Sequence, residues 1–200
     1  MYKKILIIIT SLFLFINAQD YELNPFIKSA LVPGWGERAM KNNARARLFS
    51  NIEISLWTIC VGTYTYAYHS KKQYESYAAK YAGANVKGKN HKYWVDIGNY
   101  IDIEEHNAEH LRWRNFDEIY TEQSQWEWES LDRMENFENR RIKSDILFKS
   151  GGYVIGAIVL NHILSSIDAL YLLRINKIEQ ISFKPMTSPN MNGVELNIVF

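Results

Sequence analysis

At 200 residues the chain has room for one domain, or for one domain with a small appendage. A net charge of +1 gives no electrostatic basis for binding nucleic acid or an anionic surface, and a single cysteine, Cys60, excludes an internal disulfide framework. The 6 Trp and 13 Tyr suit a membrane interface, where ring and polar tip are both satisfied, and suit a helical core equally well.

Lys3 and Lys4 precede an apolar run from Ile5 to Ile16, and Ile16-Asn17-Ala18 follows. These are the three parts of a signal peptide over residues 1–18, with Gln19 as the first mature residue. Ile16 is larger than the small residue favoured three positions before cleavage, so an uncleaved anchor fits the same segment. A short amphipathic stretch, Tyr21 to Leu31, then meets the corner Pro33-Gly34-Trp35-Gly36. Pro33 discourages helix continuation, while Gly34 and Gly36 permit positive φ and close approach of another element. Trp35 is free to sit at an interface or to pack on helices. No Lys-Ser/Thr follows to close on phosphate, and the corner reads as a backbone hinge.

Two apolar helices are predicted at residues 44–69 and 151–173. Each exceeds the ~20 residues that cross a bilayer. Asn51 and Glu53 interrupt the first, and Asn161, His162 and Asp168 the second. An ionisable group in lipid costs several kcal/mol unless it faces a partner. The economical arrangement is an antiparallel pair with Glu53, Asn161 and Asp168 turned inward as a polar seam. Gly152 and Gly156 are small residues four apart, as are Ser165 and Ala169, and each pair would let another backbone approach. A water-soluble bundle whose core tolerates a few polar groups is the alternative.

Residues 70–150 form a polar, aromatic-rich insert. Tyr74, Tyr77, Ala78 and Tyr81 carry the first helix beyond its apolar part, and Ala82 to Asn90 break it. Tyr93, Trp94, Ile97 and Ile101 mark an amphipathic helix, and Leu111, Phe116, Ile119 and Tyr120 a less regular stretch. Leu131, Met134, Phe137 and Arg141 form a stripe leading to the second apolar helix. His106 and His110 lie four apart, as zinc-binding helices place their ligands, but the Glu that should follow the first His is missing and no third ligand is evident. They are expected on a solvated helix face. No Gly-x-Ser-x-Gly elbow is present. No catalytic residue, metal ligand or cofactor site is assigned.

At the C-terminus the period changes to two. Val194, Leu196, Ile198 and Phe200 alternate with more polar residues, and Ile178 to Lys184 supplies a partner strand, so a β-hairpin is expected over 178–200 with a turn region from Pro185 to Gly193.

Several short patterns together carry a resemblance. They are the Ser-x-x-x-Pro-Gly-Trp-Gly corner (Ser29 to Gly36), Tyr77-Ala78-x-x-Tyr81-Ala82-Gly83, the Trp126-x-Trp128 pair and Leu160 to Ala169. With them the chain resembles a bacterial envelope family known only as a domain of unknown function. That family has a signal peptide, a Pro-Gly-Trp-Gly-Gln opening and a late Asn…Asp-Ala helix. Glu37 stands where the family usually has Gln. The resemblance implies a membrane or envelope location and no assigned activity.

The expectation is a mainly α envelope protein with two long antiparallel, membrane-inserted helices, a helical insert and a small C-terminal hairpin. Its partners would be membrane lipid and an envelope protein or a second copy, with no nucleic acid. It would act structurally or by binding a partner. The alternative is a ligand-binding or transport accessory module using the polar seam. An enzyme ranks third.

Overall fold

The computed structural model describes residues 23–179, 181–188 and 191–198, with side chains through Asn176. The expected signal peptide, residues 1–18, lies outside the described residues. The chain is mainly helical. Helices α1 (Pro25–Leu31), α2 (Trp35–Ala39), α3 (Asn43–Tyr81), α4 (His91–Asn99), α5 (Ile103–Arg112) and α6 (Leu131–Glu179) follow in order. Strands β1 (Ile181–Ser188) and β2 (Met191–Ile198) come last, with backbones that pair antiparallel.

Local chemistry sets most of the boundaries. Asn24 caps α1 by accepting from the Phe26 N–H, with Pro25 in the first turn. The helix stops at Val32, which is extended because Pro33 follows. Asn90 caps α4 through the Tyr93 N–H at 2.9 Å. Asp102 caps α5 through the Glu105 N–H, and Glu105 reaches back to the Ile101 N–H at 3.0 Å, a capping-box arrangement.

The two long helices outrun their expected bounds. α3 continues from the apolar stretch through the tyrosine stripe without a break, and α6 begins at Leu131, not Gly151. Gly151 and Gly152 do not interrupt α6, since neither carries positive φ. α6 also runs through Glu179, so residues 178–179, expected in a strand, are helical.

Two compact units divide the chain. The first draws on the described parts of Met1–Asn51 and Asn161–Phe200, and the second is Ile52–Leu160. In the second unit an aromatic core joins Tyr74, Tyr93, Trp94, Ile97, Trp126, Trp128 and Phe137, all essentially inaccessible. Tyr74 meets Trp94 and Phe137 edge-on, with centroids 5.8 and 5.6 Å away. Such pairs contribute ~1 kcal/mol each beyond burial. The segment around Trp126 and Trp128 is extended and stitches the insert together. Glu127 N–H donates to Ala82 O, Trp128 N–H to Ile101 O, and the Trp128 indole to Ile97 O at 2.8 Å. Further along, Ser144 donates to Ala67 O, and Gly151 lies against the Tyr64 ring, where a Cβ would crowd it at 2.8 Å.

Candidate functional site

The apolar surface is the feature with the clearest physical consequence. Among the described residues one helix is long and apolar enough to cross a membrane, the Leu131–Asn176 stretch of α6, and only 28% of its most apolar window is buried. A core helix of a soluble protein would be mostly covered. In the second unit Ile146, Tyr153, Ile155, Val159 and Leu160 are exposed on α6, as are Ile54, Trp57, Ile59 and Val61 on α3. In the first unit Ile163, Leu164 and Ile167 continue the α6 surface, and Phe26, Ile27 and Leu31 of α1 are exposed too. Monomeric soluble proteins rarely leave so much large apolar surface open to water. α3, expected as a second membrane-grade helix, does not reach that standard of length and hydropathy among the described residues.

The corner belongs to the first unit and is built on a buried carboxylate. Gly34 takes φ of +94°, which turns the chain into α2. Glu37, one turn on, is wholly buried. Its two oxygens accept from Ser29 of α1 at 2.5 Å and Ser165 of α6 at 2.7 Å. Those hydroxyls in turn accept from the Gly36 and Gly34 N–H groups, both at 2.9 Å. Each serine donates once and accepts once, so the hydrogen bonds close with no donor left over.

Space requires both glycines, and conformation requires Gly34 alone. A Cβ on Gly34 would collide with Ala46 O and Ser50 Oγ, and one on Gly36 with Pro25 O, Ser29 Oγ and the Ala169 methyl. Ser50 also donates to Pro33 O at 3.1 Å. The corner is thus pinned to α1, α3 and α6 at once. Trp35 opens α2, half-buried.

The residues expected in a polar seam are each engaged in hydrogen bonds or ion pairs. Asp168 pairs with Arg45, and Asn161 donates to Phe49 O at 3.3 Å. Glu53 lies in the second unit, where it accepts from the Trp57 indole one turn along at 2.7 Å. His162 contacts Ala30 O at 2.8 Å. The small residues divide: Ser165 and Ala169 are buried beneath the corner, whereas Gly152 and Gly156 have nothing within 4 Å of an added Cβ. The close approach expected at Gly152 and Gly156 occurs instead at Gly151.

The insert holds a second polar cluster, around His106. His106 is fully buried, contrary to the solvated face expected for it. Its ring stacks on His110, with centroids 4.3 Å apart, and packs against Tyr100, Tyr120 and Trp126. The reason is that α5 buries the face carrying Ile103 and His106 against the aromatic core. Asp96 accepts from Tyr120 Oη at 2.7 Å and from Lys92 at 2.8 Å, and Lys92 also pairs with Glu118. Asn107 clamps the Tyr120 backbone through both its amide atoms.

Burial lowers the His106 pKa, so the ring is held neutral. Burial first, and then the Asp96 carboxylate, raise the Tyr120 pKa well above the ordinary phenol value. Tyr93 is pushed up to about 12 by burial. These shifts keep the His106 ring and both phenols neutral.

Ser29, Glu37 and Ser165 are the residues that sequence reasoning passed over as a set. The signal was present only in part. A polar Ser and Glu flank the corner, but Ser165 is 128 residues further on than Glu37, and no local spacing links them. The chain matches no family model, no curated protein and no solved structure.

Proposed function

We propose that the protein is a membrane-inserted envelope protein that acts structurally or by binding a partner, and that it is not an enzyme. The observation that carries this reading is α6, an apolar helix whose most apolar window lies mostly open. Lipid is the solvent that such a surface requires. Under this reading α3 and α6 form an antiparallel pair. In the second unit Tyr77 meets Arg133 and Ala67 meets Ser144, and in the first Phe49 meets Asn161 and Arg45 meets Asp168. The C-terminal strands extend the protein as a hairpin, and the resemblance to an envelope family with a signal peptide agrees with export.

The buried carboxylates Glu37 and Asp96 of the two polar clusters hold the fold. Glu37 is consumed in holding the corner, and Asp96 in holding Tyr120 and Lys92. A ligand-binding module is the second reading. Support for it comes from an open groove of about 550 Å³ lined by His69, Lys72, Lys80 and Arg140 with Tyr77 and Tyr81.

Alkaline carbonate extraction of membranes from cells expressing the full chain tests the leading reading. The protein should stay in the pellet with integral proteins. Complete release into the soluble fraction would overturn it.

A further inference from the structure

We infer that the loop Leu111-Arg112-Trp113-Arg114-Asn115-Phe116 is a second membrane contact, seated in the lipid interface beside the point where α6 enters the bilayer. Three large apolar side chains stand open there within six residues: Trp113 is 75% exposed, Phe116 65% and Leu111 51%. The other aromatic rings of the insert are buried or half-buried, so this hexapeptide departs from its surroundings. Arg114 is held at φ of +53°, and the turn is closed by the Arg114 N–H on Leu111 O and the Asn115 N–H on His110 O. The loop is therefore a shaped tip.

Its occupant follows from where that tip lies along α6. α4 starts at His91, whose ring stands 3.7 Å from Asp145 of α6. The next residue, Lys92, bonds Glu118 at 2.8 Å, and Glu118 closes the turn that begins at Phe116. At its other end the insert is stitched to the end of α3, through Glu127 on Ala82 O and Glu129 on Tyr81 O. The hexapeptide thus belongs to the end of the insert that touches α6 near Asp145.

From Asp145 to Gly151, where the apolar run opens, is about 9 Å of helix rise. Exposed Ile146 lies within that interval and exposed Tyr153 just beyond it. Tryptophan and arginine suit the boundary, one presenting a ring with a polar edge and the other a long stem with a charged head for phosphate. A lipid interface accounts for all three exposed apolar groups and both arginines together.

The inference rests on the membrane reading of α6, and its test separates the two. The full chain carrying Cys60→Ser is prepared with one new cysteine at a time: Phe116→Cys, Ile155→Cys in the exposed α6 surface, or Glu129→Cys beside Tyr81. Each is labelled with an environment-sensitive fluorophore and reconstituted in phosphatidylcholine–phosphatidylglycerol vesicles with doxyl-labelled lipid. The probes at residues 116 and 155 should shift to the blue and lose emission to the doxyl groups, 116 to shallow labels and 155 to deep ones. The probe at 129 should report water.

A watery probe at 116 beside a quenched probe at 155 overturns the loop contact and leaves the membrane reading standing. Watery probes at both positions overturn both. A blue shift at 116 without doxyl quenching marks a second copy of the chain as the occupant, and also overturns the inference.

Discussion

The corner and the insert are held by opposite means. The corner has scarcely any apolar core: Glu37, Ser29, Ser165 and two glycine N–H groups close a set of buried hydrogen bonds, and small residues let the backbones approach. The insert is held by interlocked rings, with the Trp126 and Trp128 indole N–H groups tied to backbone carbonyls. The first arrangement is specific and intolerant, because a buried polar group left without its partner keeps its full desolvation cost. The second spreads its stability over many contacts and should tolerate conservative exchange.

The comparison is broken most forcefully at Trp94. Trp94→Ala should destabilise the insert by about 3–5 kcal/mol while leaving the α6 helix and its membrane retention intact. Denaturant titration followed by near-UV circular dichroism would show the loss. At the corner, Glu37→Leu strands two serine hydroxyls and should cost about 2–4 kcal/mol. Glu37→Gln keeps one acceptor oxygen and should cost about 1 kcal/mol. Equal effects from the two exchanges would show that the carboxylate is not what holds the corner. Limited proteolysis around Pro33 gives the readout.

Acid sharpens the contrast further. His106 has its pKa lowered in the folded state, so it stays neutral where the unfolded residue would take a proton. The unfolded chain then binds more protons, and stability is complete above the unfolded value of ~6.5 and is lost as pH falls below it. Insert stability measured at successive pH values should fall below that point, and His106→Phe should flatten the profile. A profile unchanged by the substitution would remove His106 as the source. The smallest effect is expected at Gly152 and Gly156. With open space at each added Cβ, exchange to Ala should stabilise α6 by at most about 1 kcal/mol. Destabilisation would mean that another helix packs there.

The helical class, the tyrosine stripe of α3 and the amphipathic α4 were legible from periodicity, since Tyr74, Tyr93, Trp94 and Ile97 are buried as their spacing predicts. Less legible was which polar residues go inside. Glu53, Asn161 and Asp168 drew notice because they interrupt apolar runs, and each finds a partner: Trp57, the Phe49 carbonyl and Arg45. Glu37 drew notice only as the residue that stands where the resembled family usually has Gln. Only the long-range meeting with Ser165 makes its burial tolerable, and a sequence carries no local mark of that meeting. His106 was misplaced for a related reason: two charged residues precede it, yet the face it shares with Ile103 is the buried one.

The central claim is that α6 crosses a membrane. In the Cys60→Ser background, Glu135→Cys and Arg174→Cys place a thiol near each end of that helix. Labelling intact spheroplasts with a membrane-impermeant maleimide tests the crossing directly. If α6 crosses, one of the two positions labels at once and the other only after permeabilisation; labelling of both before permeabilisation would contradict the account.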